Sequence, residues 1–220
     1  MLEDVTARFR RPSVMDVKLG TRTFGADASA AKAAAEALKY PPQAEFGFRI
    51  TGMRVYEGEH VAGDAAGAAG AGAYRVLERA FGLGLRSRAA LVAGFSEFLR
   101  DARRGRVRTE LVPPLLRRLR EVEQFLEAPR EFRFIGSSLL LVYEGAGEAG
   151  NGCKGGEGGK GGGEWEQAAA SIDVRLIDFA NAVWGADARD DGVLLGLRSV
   201  MQALEGVVEC SSAAGARNPP

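Results

Sequence analysis

The sequence contains one histidine, two cysteines and no excess of charge of either sign. A single histidine, His60, all but excludes histidine triads and zinc sites built on histidines. Cys153 lies in a glycine-rich stretch and Cys210 near the C-terminus, so no disulfide framework is predicted and a reducing, intracellular compartment is expected. The 29 basic and 29 acidic residues cancel, which predicts neither a nucleic-acid nor an anionic-membrane partner.

Long apolar runs are also missing, since none reaches the roughly 20 residues that a membrane span requires, and the N-terminus lacks the apolar part of a secretory signal. The 220 residues suffice for one sizeable core, and we expect one domain over 1–209. Two flexible loops are predicted inside it, 57–73 and 145–165, because the first is rich in glycine and alanine and the second holds 11 glycines between positions 145 and 163. A disordered tail is predicted for 210–220.

The stretch "RRPSVMDVKLG" alternates in polarity as a β-strand does. One face is apolar, and the other carries Asp16 and Lys18, about 7 Å apart. The alanine-rich run that follows favours a helix that begins at Asp27 or Ser29 and ends before the two prolines of "KYPP".

The rest of the chain alternates between strand and helix patterns. Strands are predicted in "EFGFRITGMRVYEG", with a bulge at Gly52, in "EFRFIGSSLLLVYEG", with a break at Gly136–Ser138, and in "SIDVRLIDF". Helices are predicted from Ser87 to about Gly105, in "ELVPPLLRRLREVEQFLEAP" and in "DDGVLLGLRSVMQAL". We therefore expect an α+β fold with an antiparallel sheet and packed helices.

Two of these strands carry polar residues that need an explanation. In "SIDVRLIDF" the alternation places Asp178 on the same face as the apolar side chains, where an unpaired carboxylate is costly. Either a basic side chain or a metal ion would meet it, and the sequence alone does not choose. Ser137 and Ser138 indicate either a bulge or a metal or phosphate contact. If the three strands line one cleft, then Asp16, Lys18, Ser138 and Asp178 supply the parts that phosphoryl transfer uses.

The motifs resemble those of a known family. "PSVMDVKLG" is similar to the PxxxDxKxG signature of the inositol polyphosphate kinases, "SSLLLVYEG" to their SSLL motif and "LIDFANA" to their metal-binding IDF motif. The flanking segments "LEDVTARF", "GFRITGMRVY" and "DDGVLLGLRSVMQAL" are also similar. The resemblance implies the C-terminal lobe of a kinase-like, SAICAR-synthase-like fold, without the N-terminal lobe that precedes the hinge in the family.

The resemblance also implies roles for individual residues. Glu3, Asp4 and Val5 match the hinge that binds adenine through its backbone, and Asp16 matches the aspartate that contacts ribose or assists the attacking hydroxyl. Lys18 matches the lysine between the substrate and the transferred phosphate, and Asp178, with Ser138, matches the site for Mg²⁺. The remaining matches lie at the inositol-phosphate site: Lys32, Lys39 and Asn181. Without the family, Lys32 and Lys39 would be read as solvated helix residues.

The function implied by the resemblance is ATP- and Mg²⁺-dependent phosphorylation of inositol polyphosphates in the nucleus, the cytoplasm or both, with the multikinase type preferred. The first alternative is a truncated or inactive lobe that binds inositol phosphates or proteins. The second is an inositol hexakisphosphate kinase, which forms pyrophosphates. In the family, the lysine that binds the nucleotide phosphates precedes the hinge. We therefore expect this chain to transfer phosphate weakly or undetectably.

Overall fold

The structure is a computed structural model that describes residues 3–25, 27–59, 72–128, 132–146, 171–184 and 189–216. The larger sheet has five strands in the described residues: β1 (Pro12–Leu19), β2 (Phe48–Glu59), β3 (Gly72–Leu77), β7 (Ser138–Glu144) and β8 (Ile172–Ile177). They are arranged antiparallel in the order β3-β2-β1-β7-β8.

Two short antiparallel strand pairs accompany this sheet. The first consists of β4 (Arg100–Asp101) and β5 (Arg106–Val107), and the second of β6 (Phe132–Phe134) and β9 (Ala182–Trp184). The described helices are α1 (Ala30–Lys39), α2 (Gln43–Phe46), α3 (Arg79–Gly84), α4 (Arg88–Phe98), α5 (Val112–Glu127) and α6 (Asp191–Ala216), with a 3₁₀ turn at Thr109–Leu111. The predicted α+β fold with an antiparallel sheet is confirmed.

The core forms between one face of the sheet and helices α4, α5 and α6. Strand β1 alternates as its sequence predicts: Met15, Val17 and Leu19 are fully buried in the core, while Asp16 and Lys18 lie on the opposite face and are partly exposed. Removing apolar side chains from water is the largest favourable contribution to the stability of such layers. The core therefore fixes the strand that carries two of the candidate site residues.

Local sequence signals account for several helix ends. The hydroxyl of Ser29, one of the two predicted caps, accepts a hydrogen bond from the Lys32 N–H at 3.2 Å and begins α1. Ser87 caps α4 in the same way through the N–H of Ala90. The prolines of α5 lie in its first turn, where a missing N–H costs no helical hydrogen bond.

Other predicted boundaries were wrong. Helix α4 ends at Phe98 rather than near Gly105, because the Arg108 N–H donates to the Leu99 carbonyl and closes the β4–β5 hairpin, whose turn contains Gly105 with φ +63°. The break predicted at Gly136–Ser138 in "EFRFIGSSLLLVYEG" is present as a turn at Gly136, but it separates two strands of different sheets, β6 and β7, rather than interrupting one strand. The bulge in β2 falls at Thr51, next to the predicted Gly52.

The predicted loops and tail overlap only partly with the described residues. Strand β2 continues to Glu59 and β3 begins at Gly72, so both ends of the predicted loop 57–73 are strand, and 60–71 lies outside the described residues. Most of the loop 145–165, with Cys153, also lies outside them. Helix α6 continues to Ala216, into the segment 210–220 that we expected to be disordered. None of the described helices combines the length and apolar character that a membrane crossing needs.

Candidate functional site

The structure brings Lys18 and Asp178 into direct contact. Lys18 lies on β1, and Asp178 follows the end of β8, with β7 between the two strands. The Lys18 ammonium donates a hydrogen bond to the Asp178 carboxylate, and the two form an ion pair. Residues 160 positions apart in the chain thus meet because the sheet places β1, β7 and β8 side by side.

The alternation predicted that Asp178 would continue the buried face of β8. The structure shows that it does not. The strand ends at Ile177, and the Asp178 backbone adopts a left-handed conformation with φ +59°. This turns the carboxylate away from the apolar stripe and leaves its side chain 42% exposed. Of the two partners that the sequence left open, a basic side chain is the one that meets Asp178. Left-handed backbone in a non-glycine residue costs about 1–3 kcal/mol and is concentrated at functional sites.

Ser138 and Asp16 complete the polar face around this pair. Ser138 begins β7 and lies directly between Lys18 and Ile177 in the strand register, with 2% of its surface exposed. Asp16 lies two positions before Lys18 on the same face. Its Oδ1 atom and the Ser137 hydroxyl are buried without a hydrogen-bond partner among the described residues. Buried polar atoms without partners are rare in folded proteins, so these two are available to a ligand.

Arg49 belongs to this face too, and we did not predict it from the sequence. It lies directly opposite Lys18 in the β1–β2 pairing, and directly paired residues project to the same face of a sheet. Only 6% of Arg49 is exposed, and no hydrogen bond or ion pair to another described residue satisfies its guanidinium. Burial lowers the pKa of Arg49, and the nearby Arg79 adds to this effect. The signal was present in "FRI", because alternation sets Arg49 opposite the core-facing Phe48 and Ile50.

Helix α1 carries two of the predicted substrate-binding lysines and buries none of its side chains. Lys39 donates to the Glu36 carboxylate, which also accepts a hydrogen bond from the Thr23 hydroxyl at 3.3 Å. The hydrogen bond from Lys39 lowers the pKa of Glu36, with a further contribution from Arg49, so Glu36 is charged at neutral pH. Lys32 is exposed, and its ammonium has no ion pair within the described residues.

The predicted hinge and Asn181 lie at the edge of the sheet formed by β8. Glu3 forms an ion pair with Arg175 of β8 at 3.6 Å, and Asp4 accepts hydrogen bonds from the backbone and hydroxyl of Thr6. Val5 follows in the same turn. Asn181 is exposed in the turn between β8 and β9, three residues after Asp178. The structure does not place Glu3, Asp4, Val5, Lys32, Lys39 or Asn181 in hydrogen-bonding contact with the Lys18–Asp178 pair.

The residues present fit a magnesium ion that is held jointly with a phosphorylated ligand. Within the described ranges, no three histidine, cysteine or carboxylate side chains converge on a common point, so a cage made only of protein ligands is absent there. Mg²⁺ is usually held by one or two carboxylates together with phosphate oxygens and waters. Asp178 and the Ser138 hydroxyl are oxygen donors of the kind that this mode of binding uses.

A cavity of about 460 Å³ lies on another side of β8, bounded by α5, residues Asp173 to Leu176 and Phe179. Neither Lys18 nor Asp178 lines it. A smaller cavity of about 290 Å³ lies beneath α1 and is lined by Arg49, Glu36 and the loop that leaves β1. Arg49, which lines the smaller cavity, pairs directly with Lys18 across β1 and β2, so this cavity adjoins the polar face of the sheet.

The family model for inositol polyphosphate kinase matches residues 1–205, which is most of the chain. The chain belongs to the inositol polyphosphate kinase family. This membership agrees with the motifs on β1, β7 and β8, which the structure brings together around Lys18 and Asp178.

Curated relatives of two kinds are similar to the chain. Inositol hexakisphosphate kinase 2 of Oryctolagus cuniculus is 32% identical over 96% of the chain and 52% of the relative. Inositol polyphosphate multikinase of Rattus norvegicus is 34% identical over 66% of the chain and 33% of the relative. The chain therefore spans about half the length, or less, of the curated relatives that it matches.

Solved structures of inositol phosphate multikinases have the same fold. One has a TM-score of 0.69 at 25% identity and covers 94% of this chain and 84% of that one. The S. cerevisiae multikinase in complex with ADP and Mn²⁺ has a TM-score of 0.68 at 21% identity and covers 94% of this chain and 82% of that one. The kinase-like α+β fold that the motifs implied is confirmed.

Proposed function

We propose that the protein is an ATP- and Mg²⁺-dependent kinase that phosphorylates inositol polyphosphates. The observation that supports this most directly is the contact between Lys18 and Asp178 beside Ser138 and Asp16, because these residues come from two strands and from the turn that follows a third. A cation, two carboxylates and a hydroxyl on one polar face provide what phosphoryl transfer requires, which is positioning and charge stabilisation. The family membership supports the same reaction.

In this proposal Asp178 and Ser138 would hold Mg²⁺, which would supply positive charge next to the phosphates of the nucleotide. The Lys18 ammonium exchanges its hydrogen bond to Asp178 for one to the phosphoryl group in transit, and its charge stabilises the negative charge on that group. The buried Oδ1 of Asp16, which has no hydrogen-bond partner among the described residues, accepts a hydrogen bond from a hydroxyl, either of the nucleotide ribose or of the inositol ring. The backbone of Glu3, Asp4 and Val5 binds the adenine.

The inositol phosphate would lie between Lys18 and helix α1. Lys32, Lys39 and Asn181 are the proposed contacts, since ammonium and amide N–H groups form strong hydrogen bonds with phosphate oxygens. Transfer forms a bond between the ring oxygen and the γ-phosphorus and breaks the bond to the β-phosphate oxygen. ADP leaves, and the proton of the hydroxyl passes to Asp16 or to solvent.

The type of kinase is the finer part of the proposal, and we prefer the multikinase type. It is supported by the fold shared with solved multikinases and by the "KYPP" and "GFRITGMRVY" segments. The hexakisphosphate kinase type is the second candidate, favoured by the longer alignment to that group of relatives. Chemistry separates the two, because inositol hexakisphosphate has no free hydroxyl and can accept a further phosphoryl group only as a pyrophosphate.

A transfer assay tests the reaction and its type together. The chain is incubated with radiolabelled ATP, Mg²⁺ and either an inositol tris- or tetrakisphosphate or inositol hexakisphosphate, and the products are separated by anion exchange. We expect slow label transfer to the substrates with free hydroxyls and none to inositol hexakisphosphate. Label only in a pyrophosphate product would make the hexakisphosphate kinase the correct type. Tight binding of inositol phosphates with no transfer would support the non-catalytic module.

The non-catalytic module is a second candidate function because two of the proposed phosphate-binding lysines are already ion-paired within the chain. Lys18 contacts Asp178, and Lys39 contacts Glu36. Location within the cell stays a prediction, for the nucleus, the cytoplasm or both, which microscopy of a tagged protein would test.

Replacing Glu36 with Gln is expected to tighten the binding of inositol polyphosphates about 3- to 10-fold at low salt. The change removes a negative charge beside the proposed phosphate site and releases the Lys39 ammonium. Isothermal titration calorimetry at two salt concentrations measures the effect, which salt should reduce. The control is Glu205→Gln on α6, which removes an exposed glutamate 3.9 Å from Arg120 and should leave the affinity unchanged. Unchanged binding by Glu36→Gln would place the substrate away from α1.

A further inference from the structure

Asp173 is a nearly buried carboxylate that the candidate site around Lys18 does not use. It lies on β8, where alternation places it on the opposite face from the core residues Ile172 and Val174, and only 7% of it is exposed. A carboxylate in such a position is costly unless charged or polar partners surround it. The partners of Asp173 therefore show which parts of the chain its charge holds.

Two arginines meet the same oxygen of this carboxylate. The Arg175 Nε donates a hydrogen bond to the Asp173 Oδ2 at 3.1 Å, and the Arg8 Nη2 forms an ion pair with the same atom at 3.2 Å. The other oxygen, Oδ1, accepts a hydrogen bond from the Val174 N–H at 2.8 Å. Hydrogen bonds that involve charged groups are about twice as strong as neutral ones. Asp173 thus binds both guanidiniums and the backbone of its own strand, which fixes the position of its side chain.

Both arginines connect Asp173 to the predicted hinge. Arg8 lies at the end of the turn that follows the hinge, and its Nη2 also donates to a backbone carbonyl of β8 at 2.6 Å. Arg175 forms the ion pair with Glu3 at 3.6 Å. The segment 3–8 is therefore attached to β8 at both of its ends, and Asp173 is the group that the two attachments share.

The hinge has no regular secondary structure to hold its backbone in place. Residues 3–5 belong to no helix or strand, and the hydrogen bonds from Thr6 and Ala7 to Asp4 close only a local turn. A group that binds a ligand with precise geometry must be held to within about 0.5 Å by the residues around it. The position of the hinge backbone therefore depends on the side chains that attach it to β8.

We propose that Asp173 is a positioning residue for the nucleotide, which holds the hinge backbone through Arg8 and Arg175 in the place where that backbone binds adenine. The role of the hinge rests on the proposed function, while its attachment to β8 rests on the observed contacts. Asp173 itself touches neither substrate. Its loss should weaken recognition of the base and leave the contacts of the triphosphate with Lys18 and Asp178 as they are.

The test separates the base from the phosphates and measures binding without transfer. The unchanged chain, Asp173→Asn, Asp173→Glu and the control Asp101→Asn are titrated with ATP and with inorganic tripolyphosphate, each with Mg²⁺, by calorimetry. We expect Asp173→Asn to weaken ATP binding by about 5- to 20-fold and to bind tripolyphosphate as the unchanged chain does. Asp173→Glu keeps the charge and should recover most of the ATP affinity.

Asp101 provides a close match for the control. Its side chain is 12% exposed, against 10% for Asp173, and it also binds an arginine and a backbone N–H, both of Arg104. It lies on β4 and has no contact with the hinge among those that the structure describes. Its replacement should change neither affinity.

A purely structural role for Asp173 makes a different prediction. It would lower the melting temperature, either with unchanged ATP affinity below the transition or with an equal loss for ATP and tripolyphosphate, and each of these results would overturn the proposal. If Asp173→Asn does not fold, Arg8→Met decides, because the Arg8 side chain is half-exposed and its loss leaves Asp173 paired with Arg175. Unchanged ATP affinity in Arg8→Met would then overturn the proposal.

The ligands also separate this proposal from the proposed function. Binding that is tighter for ATP than for tripolyphosphate, and that depends on Asp173, supports both. A preference for ATP that is indifferent to Asp173 overturns the positioning role and leaves the kinase proposal standing. If the unchanged chain binds ATP no more tightly than tripolyphosphate, the hinge does not bind the base, and the positioning role is wrong together with that part of the proposed function. In the transfer assay, Asp173→Asn should raise KM for ATP with kcat unchanged, and a fall in kcat alone would contradict the positioning role.

Discussion

The Asp178→Asn variant is expected to lose phosphoryl transfer by about a thousandfold or more while the fold stays intact. The substitution removes the negative charge that would hold the metal beside the transferred phosphate, and a metal supplies several kcal/mol of charge stabilisation in such reactions, with each 1.36 kcal/mol worth about a factor of ten. Asparagine has nearly the same shape as aspartate, and both residues tolerate the left-handed backbone found at this position.

The stability of Asp178→Asn should change little, because the ion pair with Lys18 is exposed on the Asp178 side and such pairs contribute about 0–1 kcal/mol. The measurement is transfer to an inositol polyphosphate, together with the melting temperature and a fluorescence titration of nucleotide binding with and without Mg²⁺. We expect the benefit of Mg²⁺ for nucleotide binding to disappear in the variant.

The matched control is Asp101→Asn, which also removes the charge of an aspartate that is paired with a basic residue. Asp101 binds Arg104 in the β4–β5 hairpin and is not part of the polar face around Lys18. Its replacement should leave transfer unchanged. If Asp178→Asn turned over as fast as Asp101→Asn, the assignment of Asp178 to the metal would be wrong.

Local patterns in the sequence predict the parts of this site that depend on strand geometry. The alternation in β1 predicted that Asp16 and Lys18 share a face and that Met15, Val17 and Leu19 are buried, and the structure confirms both. A strand has a fixed period of two residues, so its faces follow from the residue order alone. The same period places Arg49 on the face of β2 opposite the core. Its position directly across from Lys18 follows from the pairing of β1 with β2.

The parts that depend on backbone exceptions or on distant hydrogen bonds were not predictable in this way. Asp178 leaves the face of β8 because its φ is positive, which hydrophobic alternation does not report. Helical spacing continues through Leu99 and Ala102, but α4 ends at Phe98, because a hydrogen bond from Arg108 closes a hairpin instead. The meeting of Lys18 and Asp178 required the strand order, which the family resemblance implied and the residue pattern alone did not.

The Gly196→Ala variant is expected to lower the free energy of unfolding by about 3 kcal/mol, because α6 crosses the main chain at Gly47 with no room for a side chain. A Cβ atom at position 196 would lie 2.0 Å from the Gly47 carbonyl oxygen, which is backbone and has little freedom to move. Overpacking of this kind typically costs about 1–3 kcal/mol and sometimes more. For a chain of this size, the melting temperature should fall by roughly 6–12 °C.

The same substitution should reach the candidate site, since the Gly47 carbonyl also accepts a hydrogen bond from the Gly20 N–H at 2.7 Å. Gly20 follows the end of β1, and Gly47 precedes the start of β2, so a shift of α6 would move the strand ends that carry Lys18 and Arg49. Gly84→Ala is the control, because a Cβ atom there meets no heavy atom within 4 Å and should change stability by less than about 1 kcal/mol. Thermal unfolding compares the two variants, and anion binding below the melting transition measures the effect on the site. Equal stability of Gly196→Ala and Gly84→Ala would mean that α6 is not seated on Gly47, and the core would then not be what aligns Lys18 with Arg49.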